Sequence, residues 1–186
     1  VYKHFVDSLI LLKYVDIPKG AKLIDVGTGA GFPGLALLIA RPDLNITLMD
    51  STKKKLGVIE DILNNIGLVA NVVHSRAEEA GKAADFREKY DFATARAVTN
   101  LRDLTEICLP FVKLGGYFIP LKGAGAKEEI DGAKKAIDIL GGKLNKTGIF
   151  SLDHSGERAV IHVEKISQTP PKYPRPSAQI AKKQLI

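Results

Sequence analysis

The chain of 186 residues has one cysteine, no tryptophan and few aromatic residues, 6% in all. A single thiol, Cys108, excludes an internal disulfide framework. It sits in the apolar stretch Ile107-Cys108-Leu109, which reads as core rather than as a nucleophile, and it is compatible with a reducing compartment. The scarcity of aromatics excludes a broad platform for stacking bases. No apolar run approaches the length of a membrane span, and no signal-peptide pattern is present. Acidic residues are missing from Ile166 to the end, while Lys172, Arg175, Lys182 and Lys183 fall there, with Lys165 just before. The four histidines have no metal-like spacing, so no metal site is expected.

What remains is ordinary globular material, 45% hydrophobic and 26% charged, long enough for one domain with a sizeable core. The net charge of +6 and the pI of about 9.3 favour an anionic partner, most simply nucleic acid. The first residue is Val1, and Lys3 to Val15 already carries a helical apolar stripe, so a preceding segment is expected. Lys53-Lys54-Lys55 is either a second basic cluster or a solvated helix face.

The densest information lies in Leu23 to Gly34, Leu-Ile-Asp-Val-Gly-Thr-Gly-Ala-Gly-Phe-Pro-Gly, followed by Ile46 to Asp50. An apolar run ends in Asp25; Gly27, Gly29, Gly31 and Gly34 follow, then a helical pattern and a second run ending in Asp50. This is a strand, a glycine turn, a helix and a second strand with a carboxylate at its tip. Such a unit binds an adenosine-containing cofactor at the carboxyl edge of a parallel sheet. Asp50 can accept both hydrogen bonds of a ribose diol. Gly29 to Gly34 also spells G-x-G-x-x-G, which leaves a nicotinamide-dependent oxidoreductase as the alternative. Two residues oppose it. Asp25, read as standing at the mouth of the turn, would repel a pyrophosphate and suits the cationic end of S-adenosylmethionine. Pro33 removes a backbone N–H that phosphate binding would use.

Further strands are predicted over 71–74, 92–95, 117–121, 143–150 and 158–166, with helices over 53–66 and 127–140 and a shorter one over 101–109. A short helix or helical loop is read over 77–90, and Gly115-Gly116 as a turn. His74 and His162 fall in strands and His154 in a turn. Alternation up to Leu140 argues an α/β doubly wound, mostly parallel sheet, and the closing strand–turn–strand puts one antiparallel strand at or near its edge. The prolines of 169–176 predict an extended basic arm over 167–186, following a domain over 1–166.

Several stretches together resemble one family, the bacterial small-subunit ribosomal RNA guanine-N7 methyltransferases, also called glucose-inhibited division protein B. They are His4-Phe5-Val6-Asp7-Ser8-Leu9, the turn from Asp25 to Gly34, Met49-Asp50-Ser51, Ser75-Arg76-Ala77-Glu78, Ala95-Arg96-Ala97-Val98, Leu121-Lys122-Gly123, Glu157-Arg158, Glu164-Lys165 and Lys172-Tyr173-Pro174-Arg175. The resemblance implies the seven-stranded fold of S-adenosylmethionine-dependent (class I, Rossmann-like) methyltransferases. It also implies methyl transfer from S-adenosylmethionine to N7 of a guanine in 16S ribosomal RNA, free or in the assembled small subunit. A cytoplasmic monomer away from the membrane is expected. Two features depart from the family: a longer N-terminal helical segment is missing, and after Tyr-Pro-Arg only Lys182 falls at an expected position.

By the resemblance, cofactor contacts fall on Gly27, Phe32, Ala77, Glu78 and Arg96, beside Gly29 and Gly31 from the turn itself and Asp50 from its place at the strand tip. Phe32 either packs on the ligand or fills the core beneath the turn. Glu78 either reads the adenine edge or caps a helix, and Arg96 either holds a carboxylate or phosphate and positions the reaction, or forms a structural ion pair. His4, Lys122, Tyr173, Arg175 and Lys182 are the candidate RNA contacts, with Tyr173 stacking on a base and Arg175 clamping a phosphate. Guanine N7 has an exposed lone pair and no proton to lose, so no general base is expected and positioning carries the reaction. A module that binds the cofactor without catalysis remains a third reading.

Overall fold

Near-continuous apolar runs in successive strands, with helices between them, require a sheet covered on both faces. The computed structural model describes residues 2–152 and 156–185, so His154 lies outside the described residues. In chain order the elements are α1 (Tyr2–Leu9), α2 (Leu11–Tyr14), β1 (Lys22–Val26), α3 (Gly34–Ala40), β2 (Asn45–Asp50), α4 (Lys53–Ile66), β3 (Asn71–His74), α5 (Ala77–Ala80), β4 (Tyr90–Arg96) and α6 (Leu101–Cys108). A 3₁₀ turn over Leu109–Phe111 leads into β5 (Val112–Lys122), followed by α7 (Ala126–Ile139), β6 (Gly142–Leu152), β7 (Gly156–Lys165) and α8 (Ser177–Lys182).

The strands form one sheet in the order β3-β2-β1-β4-β5-β7-β6. Only β7 runs against its neighbours, pairing antiparallel with both β5 and β6. The chain winds outward from β1 to β3, then crosses to lay β4 on the other side of β1. This reversal opens a crevice at the carboxyl ends of β1 and β4, the place where sheets of this kind bind ligands.

Strand alternation sorts the core into two layers. Leu23, Ile46, Leu48, Phe92, Ile119 and Val160 face Leu35, Leu38, Leu56, Ile59 and Leu63 of α3 and α4. Ile24, Val26, Ala93, Ala95, Phe118 and Ile161 face Leu101, Leu104, Ile130, Ala133 and Ile137 of α6 and α7. Cys108 is fully buried in this second layer, as its apolar setting predicts. Gly67 ends α4 with a left-handed φ of 67°, which frees the helix to stop there.

Three local expectations are corrected. The segment 77–90 is helical only over Ala77–Ala80, and β4 starts at Tyr90. Gly115 and Gly116 lie inside β5, where the pairing with β4 shifts between Tyr90 and Phe92; they make an irregularity in a long strand rather than a turn before a short one.

The third correction concerns the tail: 167–176 forms no helix or strand, as expected, but it is pinned to the body of the fold, and Ser177–Lys182 is helical rather than extended. Arg87 donates through Nη1 to the carbonyls of Gly81 (2.8 Å) and Tyr173 (2.9 Å), and through Nη2 to that of Thr169 (2.6 Å). Tyr173 is 6% exposed within the α6–α7 core layer, and Ser177–Lys182 is helical. Arg175 forks onto Glu106, donating from Nε to Oε1 at 2.8 Å and from Nη2 to Oε2 at 2.6 Å. Glu106 is only 1% exposed, so the pair neutralises a carboxylate that could not otherwise be buried.

Candidate active site

The glycine turn is short because almost every N–H in it is used at home. Gly27 and Thr28 donate to the carbonyl of Met49, Gly31 and Phe32 to that of Thr28, and Leu35 to that of Gly31. Gly29 N–H donates to Asp50 Oδ2 at 3.0 Å and Gly34 N–H to Asp25 Oδ2 at 2.8 Å. Pro33 has no N–H to offer. The start of α3 therefore presents no group of free donors for a pyrophosphate.

Asp25 is not at the mouth of the turn. It is completely buried beneath α3, where Oδ2 also accepts from Thr28 Oγ1 at 2.7 Å. Its other oxygen, Oδ1, has no partner among the described residues. Burial raises the carboxyl pKa to about 6 against the lowering effect of these bonds and of Arg96.

Around the crevice lie two cavities that share Ala97, a residue held at a left-handed φ of 55°. The first, of about 330 Å³, crosses the tips of β1 to β4. Gly27, Asp50, Ala77 and Glu78, all candidate cofactor residues, line it. A Cβ on Gly27 would stand 2.8 Å from Val98 Cγ2, and the residue has a φ of 72°, so this wall requires glycine. Asp50 Oδ1 accepts from Thr52 N–H at 2.8 Å, and Lys55 lies 3.8 Å from Oδ2, which fixes the carboxylate at the strand tip with lone pairs to spare. Ser51, Ser75, Arg76 and Val98 also line this cavity. All four sit inside the stretches quoted above, yet without a distinguishing chemistry to mark them out.

Gly29 touches the site through its hydrogen bond to Asp50. Gly31 shapes the turn, with a φ of 93°. Phe32 lines neither cavity: its ring meets Phe5 edge-on at 5.1 Å and His4 at 5.6 Å, and carries the Arg96 guanidinium at 5.1 Å. Phe32 is half-buried and packs against α1 and Arg96.

The second cavity, of about 420 Å³, opens between α1 and the tips of β4, β5 and β7. Arg96, His4 and Lys122 all line it. Arg96 donates to the His4 carbonyl at 3.2 Å and to Ser8 Oγ at 3.4 Å. Lys122 Nζ is held by the Thr99 carbonyl at 2.7 Å and by Glu129 at 2.8 Å, which ties β5 to α7. Asp7 and Arg158 face the same space, paired at 3.3 Å. Of the remaining candidates, Tyr173 and Arg175 are consumed by packing, as described, and Lys182 is exposed at the end of α8. Tyr173 cannot stack on a base in this conformation, and Arg175 has its guanidinium on Glu106 rather than on a phosphate.

Topology and turn together define an S-adenosylmethionine-dependent methyltransferase fold, α/β with a seven-stranded sheet. A solved S-adenosylmethionine-dependent methyltransferase from Aquifex aeolicus shares that fold at a TM-score of 0.64 and 17% identity, over 86% of this chain and 90% of its own. Within that class the chain belongs to the GidB family, described as rRNA small subunit methyltransferase G, whose model matches residues 1–160. Ribosomal RNA small subunit methyltransferase G of Clostridium novyi is 46% identical over 100% of this chain and 77% of its own length. The protein of the same description from Lactobacillus johnsonii is 48% identical over 98% of this chain and 78% of its own length.

Proposed function

We propose that the protein transfers a methyl group from S-adenosylmethionine to N7 of a guanine in the 16S RNA of the small ribosomal subunit. The observation that carries this reading is the pair of cavities that share Ala97, one lined by the candidate cofactor residues and one beside it with room for an acceptor. When bound, S-adenosylmethionine supplies an electrophilic methyl on a positively charged sulfur.

The lining of the first cavity fits that cofactor. Asp50 faces the ribose diol, Ala77 and Glu78 stand where the adenine edge is read, and Gly27 lets the backbone approach the methionine part. A nicotinamide dinucleotide is a poorer fit, because the N–H groups that would hold its pyrophosphate are already bonded within the turn.

Acceptor chemistry asks for position rather than proton transfer. N7 carries its lone pair in the plane of the ring, and nothing must be deprotonated before attack. Arg96, braced on Phe32 and the His4 carbonyl, forms the wall between turn and acceptor space and positions the reactants. His4 and Lys122 stand at the acceptor cavity as RNA contacts. The test is incubation with small subunits and labelled S-adenosylmethionine, followed by digestion to nucleosides. The label is expected in 7-methylguanosine; label in another nucleoside, or none, rejects the reading.

A further inference from the structure

The acceptor cavity holds two carboxylates, Asp7 and Glu129, and they are not equivalent. Glu129 is occupied: its Oε2 accepts from Leu101 N–H at 2.6 Å and from Lys122 Nζ at 2.8 Å, so it caps α6 and fixes β5. Asp7 has one bond from the described residues, a 3.3 Å contact from Arg158 Nε to Oδ1. Its second oxygen takes none among them. A largely buried carboxylate with spare acceptor capacity, beside a cavity, has room for a ligand that donates hydrogen bonds.

Guanine is such a ligand. Its N1–H and N2–H₂ point the same way, on the edge opposite N7, and match the two oxygens of a carboxylate. We propose that Asp7, positioned by Arg158, recognises this edge of the acceptor and so restricts the reaction to guanine. The inference rests on the function proposed above and names the residue that reads the base. Sheet geometry supports it. Ala97, where the cavities join, follows β4, and Arg158 is on β7, two strands away across β5. Two strand spacings are about 10 Å. That is the scale of a purine plus one hydrogen bond, so a base held at Asp7 can direct N7 toward Ala97. The carboxylate also faces the positive charge that the ring gains on methylation. Adenine presents a lone pair at N1 and would meet Asp7 with repulsion.

The competing account is that Asp7 and Arg158 only strap α1 to β7. A base-analogue experiment separates the two. Small subunits are reconstituted with 16S RNA that carries guanosine or inosine at the methylated position; inosine keeps N7 and N1–H and lacks the amino group. The parent should methylate guanosine RNA at least about tenfold faster than inosine RNA in single turnover. In Asp7→Asn the ratio should fall below about threefold, whatever the absolute rates. If that variant is too slow to follow, the same ratio is read as dissociation constants for the two RNAs with S-adenosylhomocysteine bound. A parent that does not discriminate, or a variant with an unchanged ratio, overturns the assignment and leaves Asp7 as a strap. A parent that makes no 7-methylguanosine on the guanosine RNA instead removes the function on which the inference rests.

Discussion

Asp25 and Asp50 end neighbouring strands, one residue type in two environments. Asp50 keeps access to the cofactor cavity and accepts from the N–H groups of Gly29 and Thr52, whereas Asp25 is sealed under α3 with one oxygen unpartnered. Asp50→Ala should weaken S-adenosylmethionine binding by about 1.5–3 kcal/mol, the scale of hydrogen bonds to a charged acceptor. Calorimetric titration checks this, and equal affinity in parent and variant removes Asp50 from the site. For Asp25, the folded carboxyl holds its proton up to about pH 6 against an unfolded value of 3.8. Between those values the folded state binds more protons than the unfolded one. Stability therefore falls as pH rises through this window and is level above it. Carbon-detected NMR of the cofactor-free protein should place the Asp25 midpoint near 6, and a midpoint below 4 would contradict the burial account. The sequence marked both acids as strand-end residues but could not separate them. Which one is covered depends on α3 folding back over β1, a tertiary event that the local pattern does not encode.

At the scale of elements, the strands and long helices were legible because burial imposes periods of two and 3.6 on the sequence. The tail was not. Its prolines and positive charge suggested an extended basic arm holding RNA, yet Arg87, Glu88 and Glu106 capture it from positions more than sixty residues away. Partners so distant in sequence leave no local trace. Arg175→Ala should accordingly destabilise the fold by about 3 kcal/mol or more, since Glu106 is left buried without its cation. Thermal melting reads the loss, and the salt dependence of RNA binding should be unchanged. A stable variant whose salt slope drops by about one phosphate contact would return Arg175 to the RNA surface. The turn makes its own prediction. Gly27→Ala places a Cβ against Val98 at a left-handed φ, so cofactor affinity should fall while α4 and the sheet persist. Circular dichroism and calorimetry on one preparation distinguish local damage from unfolding.

Across the whole molecule, the turn, the tip of β2 and the loop after β3 form one cavity, and α1 with the tips of β4, β5 and β7 forms the other. The first could be anticipated from the glycine pattern. The second draws on residues 4 to 159, which only the assembled sheet and α1 bring together. On the function proposed above, these cavities carry out methyl transfer to guanine N7 by positioning, without a base. Single-turnover transfer to small-subunit RNA, at saturating S-adenosylmethionine and with the product nucleoside identified, tests it most directly. The account predicts 7-methylguanosine formed at a rate that is flat from about pH 6 to 8, since no reacting group titrates there. A rate that climbs about tenfold per pH unit, with the methyl on an amine or a hydroxyl, would contradict it.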